Sequence, residues 1–109
     1  MQESFYTHAM WRVKPGNEDA FISAWKAIGD AFSALPGVAS GRGTLIQSLT
    51  DPTLFYSFGP WNSLEDIQAM RSDPSAQEAI QKARELCEEA TPGSYKVVAE
   101  AGPQGTLQN

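Results

Sequence analysis

The sequence predicts an α+β domain with a four-stranded antiparallel sheet in the ferredoxin-like βαββαβ arrangement, spatial order 4-1-3-2. Three observations predict it. Period-2 and period-3.6 apolar patterns alternate along the chain as strand, helix, strand, strand, helix pair, strand. Pro, Gly and Asp punctuate nearly every junction between them. The first and third strands, which right-handed crossovers make central, are apolar on both faces.

The first strand is expected over Phe5–Val13, which ends at Lys14-Pro15-Gly16. Phe5, Thr7, Ala9, Trp11 and Val13 share one parity, and Tyr6, His8, Met10 and Arg12 the other. Asn17 is placed to cap a helix whose first turn holds Glu18 and Asp19. Phe21, Ala24, Trp25, Ile28, Phe32 and Leu35 form its apolar stripe, and Pro36-Gly37 ends it. A second strand is expected over Gly41–Leu49, with a start loosened by Gly37, Gly41 and Gly43. The Asp51-Pro52 turn makes a hairpin into Leu54–Phe58. After Gly59-Pro60, Trp61 stands just before a short helix capped by Ser63 with Asp66 and ended by Asp73-Pro74. Ser75 with Glu78 reads as a capping box for a helix to about Ala90, with Cys87 on its apolar stripe and Thr91-Pro92-Gly93 as its stop. Tyr95–Ala101 is then the last strand, and Gly102–Asn109 a flexible polar tail.

A chain of 109 residues corresponds to one domain, 1–109, with its core over about 5–101. The net charge of −5 argues against nucleic acid, because phosphate binding needs a basic patch. Lys and Arg are scattered, which argues against a membrane-surface helix, and no run is long enough for a membrane span. The single cysteine, Cys87, allows neither an internal disulfide nor a CxxC metal site. Met1-Gln2-Glu3-Ser4 has no signal-peptide pattern, and the expectation is a soluble cytoplasmic protein.

The run Arg12-Val13-Lys14-Pro15-Gly16-Asn17-Glu18-Asp19-Ala20-Phe21, the Leu35-Pro36-Gly37 helix end, Asp51-Pro52, and Trp61-x-Ser63-x-Glu65 resemble the antibiotic biosynthesis monooxygenase (ABM) domain family of the dimeric α+β barrel group. The resemblance spans roughly Phe5 to Ala101. It implies a homodimer whose sheets pack face to face, with a pocket in each subunit between sheet and helices. The group includes cofactor-free quinone-forming monooxygenases, haem-degrading enzymes, quinol oxygenases and members of no known function. Trp61 matches the family's Trp. The cofactor-free oxygenases place an Asn four residues before it, where this chain has Ser57, and a Tyr after it, where this chain has Ile67. The iron-ligating His of the haem-degrading branch falls near Arg71, so ligation in that style is not expected.

His8, the only side chain that ordinarily titrates near neutrality, is the candidate general base or acid, set against a hydrogen-bonded histidine in a barrel or dimer interface. Trp61 is the second catalytic-site candidate, as a ring that stacks on an aromatic substrate, set against a core residue at a helix start. Tyr6, Trp25, Tyr56, Ser57, Phe58 and Arg71 are the candidate ligand contacts. Metal ligands are not expected, and neither is a cofactor. Two functions follow: a cofactor-independent monooxygenase-like protein acting on an aromatic or polyketide-like compound, or a non-catalytic dimeric module that binds or senses a small hydrophobic ligand.

Overall fold

The structure, a computed structural model, describes residues 4–35 and 42–102. Its elements are β1 (Phe5–Val13), α1 (Glu18–Ser33), β2 (Thr44–Gln47), β3 (Leu54–Trp61), α2 (Leu64–Ser72), α3 (Pro74–Arg84) and β4 (Cys87–Lys96). The strands form one antiparallel sheet in the order β2-β3-β1-β4, the expected ferredoxin-like arrangement read from the other edge.

β1 stops where Pro15-Gly16 reverses the chain, and Gly16 takes a φ of 93° that a side chain would resist. α1 follows, but the Asn17 side chain makes no capping bond. The Glu18 carboxylate instead accepts from the Gly16 amide at 3.0 Å. Pro36, Gly37 and Gly41 lie outside the described residues. β2 is shorter than the expected Gly41–Leu49. At its end the chain turns: the Ser48 hydroxyl accepts from the amides of Thr50 and Asp51, and the Asp51 carboxylate from the amide and hydroxyl of Thr53. These local bonds win the backbone from the sheet one residue past Gln47.

The two later helices meet at one residue. Ser63 caps α2 by accepting from the Asp66 amide, as expected. The cap of α3 is Asp73, accepting from the Ala76 amide at 2.8 Å with Pro74 in the first helical position, so the Ser75–Glu78 capping box is not the one used. The largest correction lies beyond it. α3 ends at Arg84, and Cys87, Glu88 and Glu89 are strand, not helix. Thr91-Pro92-Gly93 runs inside β4, opposite Met10, Ala9 and His8. β4 pairs with β1 alone, so a proline is tolerated with its nitrogen turned away from the ladder. The expected strand Tyr95–Ala101 reduces to Tyr95 and Lys96, extended by one bond from the Val97 amide to the Ser4 carbonyl at 2.9 Å.

All three helices cover one face of the sheet. Ala9, Trp11, Val13 and Phe55 pack there against Phe21 and Ile28 of α1 and Ala83 of α3. Trp61 packs with Ile67, Met70 and Ala76 of the helix pair. Phe21 and Phe55 are fully buried, which contributes roughly 1.5–3 kcal/mol each. The opposite parity stays open. Tyr6, His8, Met10, Tyr56 and Phe58 lie on it, beside Ile46 of β2 and Tyr95 of β4.

Candidate functional site

The helix-covered face receives Ser57, Trp61, Trp25 and Arg71. Ser57 is 9% exposed and its Oγ accepts from the Trp11 indole N–H at 2.9 Å. Trp61 is 5% exposed; its indole N–H donates to the Thr7 hydroxyl at 2.9 Å and its ring meets Phe32 edge-on at 5.3 Å. Each indole thus finds the partner that a buried N–H requires. Ile67 is buried beside Trp61. Arg71 leaves α2 to donate to the Ser94 hydroxyl on β4, directly across the ladder from Thr7.

On the same face a cleft of about 290 Å³ opens between α1 and the β2–β3 side of the sheet, lined by Ile22, Trp25, Lys26, Leu45, Gln47 and Phe55. Trp25 is half-buried. Its ring stands against Gly43, where a Cβ would come within 3.5 Å of it. The Gln47 side-chain amide donates to the Pro52 carbonyl at 2.8 Å, which fixes the side chain at the cleft wall. Lys26 supplies the one charged group in this lining. Trp61 and Ser57 line neither this cleft nor the cavity on the other face.

The open face receives His8, Tyr6, Tyr56 and Phe58. The His8 ring lies 5.6 Å from that of Tyr56 and 5.8 Å from that of Tyr95. A cavity of about 420 Å³ is lined by Tyr6, His8, Phe58, Tyr95, Lys96 and Val97. Strand parity therefore separates the two residues expected to act together: His8 and Trp61 point to opposite sides of the sheet, and no single ligand touches both.

Other reactive groups are held in structural roles. The Cys87 thiol is buried and donates to the Ala83 carbonyl at 3.4 Å. Burial pushes its pKa up, which Lys14 and Arg84 offset only in part, so it stays a protonated thiol. Arg12 pairs with Asp51 at 3.1 Å. Among the described residues no group of three or more His, Cys, Asp or Glu is placed to hold a metal ion. The sequence reading missed Lys26 and Gln47. Lys26 was within reach, since Ile22, Trp25 and Lys26 follow the i, i+3, i+4 spacing of one helix face.

The family model for antibiotic biosynthesis monooxygenases matches residues 4–82. No curated protein matches. Among solved structures, a candidate antibiotic biosynthesis monooxygenase from Chloroflexus aurantiacus is 27% identical, with a TM-score of 0.70 over 91% of this chain and 97% of that one. SnoaB, a cofactor-independent oxygenase from Streptomyces nogalater, is 16% identical, with a TM-score of 0.76 over 94% and 99%. A candidate antibiotic biosynthesis monooxygenase from Nitrosomonas europaea is 20% identical, with a TM-score of 0.74 over 94% and 98%. The last two likenesses speak for the fold alone. With most of its length matched by the family model, and with the sheet order and helix placement described above, the chain belongs to the antibiotic biosynthesis monooxygenase family.

Proposed function

We propose that the protein is a small oxygenase that takes an aromatic or polyketide-like compound into the cleft between α1 and the β2–β3 side of the sheet. The observation that carries this reading is the half-buried Trp25 indole in a cleft walled by Ile22, Leu45 and Phe55, with the Lys26 ammonium and the Gln47 amide at its edge. The indole offers a flat face for stacking. A nearby cation favours the anionic form of an acidic substrate. An anthrone or hydroquinone, once deprotonated, is itself electron-rich enough to reduce oxygen. In an anthrone the ring methylene loses a proton to solvent, the carbanion adds O₂, the peroxide anion takes a proton back, and the resulting hydroperoxide loses water to leave a carbonyl. One O₂ is consumed, and one oxygen atom ends in the product and one in water. His8 does not reach this cleft.

A second reading, binding without turnover, draws on Ser57 and Ile67. The Ser57 hydroxyl is already engaged by Trp11, and a buried aliphatic residue stands where the family's Tyr would be. Oxygen uptake with a panel of anthrones and hydroquinones, run beside ligand-induced melting shifts, separates the two. Uptake that Trp25→Ala lowers at least tenfold supports the enzyme. Shifts without uptake support the binder, and neither response sinks both.

The same proposal includes a homodimer formed through the open sheet face. Ile46, Phe58 and Tyr95 are 49%, 37% and 57% exposed there, next to Tyr6, Met10 and Tyr56. A contiguous apolar face of this kind favours a partner surface, and a second copy supplies an identical one. Light scattering after size exclusion at micromolar concentration tests it; a monomer that binds no hydrophobic dye would sink it. The free Cys87 thiol fits a reducing compartment, which supports a cytoplasmic location. No helix among the described residues is long and apolar enough to cross a membrane.

A further inference from the structure

Two glycines of the β2–β3 hairpin have no backbone reason to be glycine. Gly43, just before β2, and Gly59, inside β3, both lie outside the left-handed region; among the described residues only Gly16 and Gly102 have a positive φ. A glycine in a strand loses more freedom on folding than any other residue and brings no side chain to pack. What both positions supply is room. Thr44 pairs with Phe58, so the next step along the ladder sets Gly43 beside Gly59. A Cβ on Gly59 would lie 3.1 Å from the Gly43 Cα and 3.6 Å from the Arg42 carbonyl oxygen. Gly59 is buried, and its bare backbone lets the lead-in to β2 close down on it.

The space at Gly43 is taken by Trp25. A Cβ there would lie 3.5 Å from Cζ2 and 3.6 Å from Cη2, at the far edge of the six-membered ring of the indole. One carbon is accommodated in ordinary contact, but the branches of a larger side chain meet the ring. Gly43 has the parity of Leu45 and Gln47, which puts all three in one row on the helix-covered face. Leu45 and Gln47 line the cleft together with Trp25, whose ring closes the Gly43 end of the row. A ring displaced from Gly43 either slides along the row into the cleft or swings out of it. In both cases the flat wall is lost.

We propose that Gly43 determines which substrates the Trp25 cleft accepts. By yielding its place to the edge of the indole, it keeps a flat wall wide enough for a fused, multi-ring aromatic. This inference rests on the reading of the cleft given above and adds the substrate class. Gly59 is a positioning residue that acts through Gly43. A single phenol ring covers less of the indole face, so its binding depends less on the residue at 43.

The test follows the indole N–H signals of the three tryptophans in the full-length protein by NMR. The Trp25 signal is the one that Trp25→Ala removes. Gly43→Val should shift it and leave in place those of Trp11 and Trp61, which are tied to Ser57 and Thr7. Titration with anthrone and with hydroquinone under nitrogen then reads affinity without turnover. Gly43→Val should weaken anthrone binding tenfold or more and hydroquinone binding less than threefold. Gly43→Ala should change this preference in the same direction by a smaller factor, and it decides the matter if a melting curve shows the valine variant unfolded. An unchanged anthrone affinity overturns the proposal, as do an equal loss for both probes and an unmoved Trp25 signal; the cleft reading survives all three. A parent chain that binds hydroquinone but not anthrone also overturns it. Binding of neither probe takes down the cleft reading and this proposal with it.

Discussion

Ser57→Ala removes the acceptor of a buried hydrogen bond and leaves the Trp11 indole N–H, on a ring only 6% exposed, without a partner. Stranding a buried donor costs about 1–3 kcal/mol, well above the net worth of an average hydrogen bond. Trp11→Phe deletes the donor and opens space beside Phe21, whose ring centroid lies 5.2 Å away. The double variant strands no indole, so it should be less destabilised than the sum of the two by about 1–2 kcal/mol. For a chain of 109 residues the total stability is on the order of 5–15 kcal/mol, so a loss of about 2 kcal/mol is readily measured. At a urea m-value of about 2 kcal/mol/M it moves the midpoint by roughly 1 M. The assay is urea unfolding followed by far-UV circular dichroism, with all four proteins at one concentration because association would shift the midpoint. Additivity within about 0.5 kcal/mol would refute the reasoning. So would a Ser57→Ala variant that keeps its midpoint but loses ligand affinity, since the hydroxyl would then serve the ligand and not Trp11.

Trp61→Ala should cost about 3–5 kcal/mol, because the ring fills the space between Phe32 and the α2–α3 pair; a melting temperature that holds while aromatic-ligand binding collapses would instead make Trp61 a ligand contact. Asp51 is held below the ordinary carboxylate range chiefly by the hydroxyl and amide of Thr53, with Arg12 adding to them. Its stabilising contribution is therefore complete above the ordinary value near 3.8 and is lost as the pH falls through the lower folded value. Melting curves of Asp51→Asn and the parent chain should differ at neutral pH and converge in strong acid; a constant gap argues against the assignment. For Cys87 the raised pKa works in the opposite direction: above about pH 9 the unfolded chain ionises the thiol while the folded chain does not, so stability falls as the pH climbs from there. Iodoacetamide at neutral pH should label Cys87 far more slowly in the native protein than in urea, and equal rates would show that the thiol is not protected.

The fold was legible where one local signal had no rival. β1 stood out because Pro15-Gly16 leaves only one place for it to stop, and the hairpin because Asp51-Pro52 admits only a tight turn. The C-terminal third was misread because Thr91-Pro92-Gly93 is a strong stop signal in a helix yet harmless in a strand paired on one side. Asp73-Pro74 carried two messages, the end of α2 and the cap of α3, and the sequence reading heard only the first. The candidate site was harder. Period 2 sorts His8 from Trp11 within β1, but whether Trp61 of β3 shares a face with His8 depends on the pairing register, and with apolar residues on both parities of β1 and β3 the alternation does not say which set faces the helices. That assignment depends on long-range packing of Trp11, Phe21 and Phe55, and with it goes the fate of every candidate residue.

The proline of β4 also limits how copies of the chain can grow into assemblies. A sheet can be extended only by main-chain bonding along its outer strands. One outer strand, β2, offers four residues, and the other carries Pro92, which has no N–H to give. Glu88 and Glu89 add charge along the same strand. A fifth strand from another molecule therefore finds only a short template at β2 and an interrupted one at β4, which discourages fibril-like polymerisation. The proposed association through faces would close after two copies, whereas association through flanks would not. The misleading Thr91-Pro92-Gly93 triplet thus blunts the outer edge of β4 against strand addition.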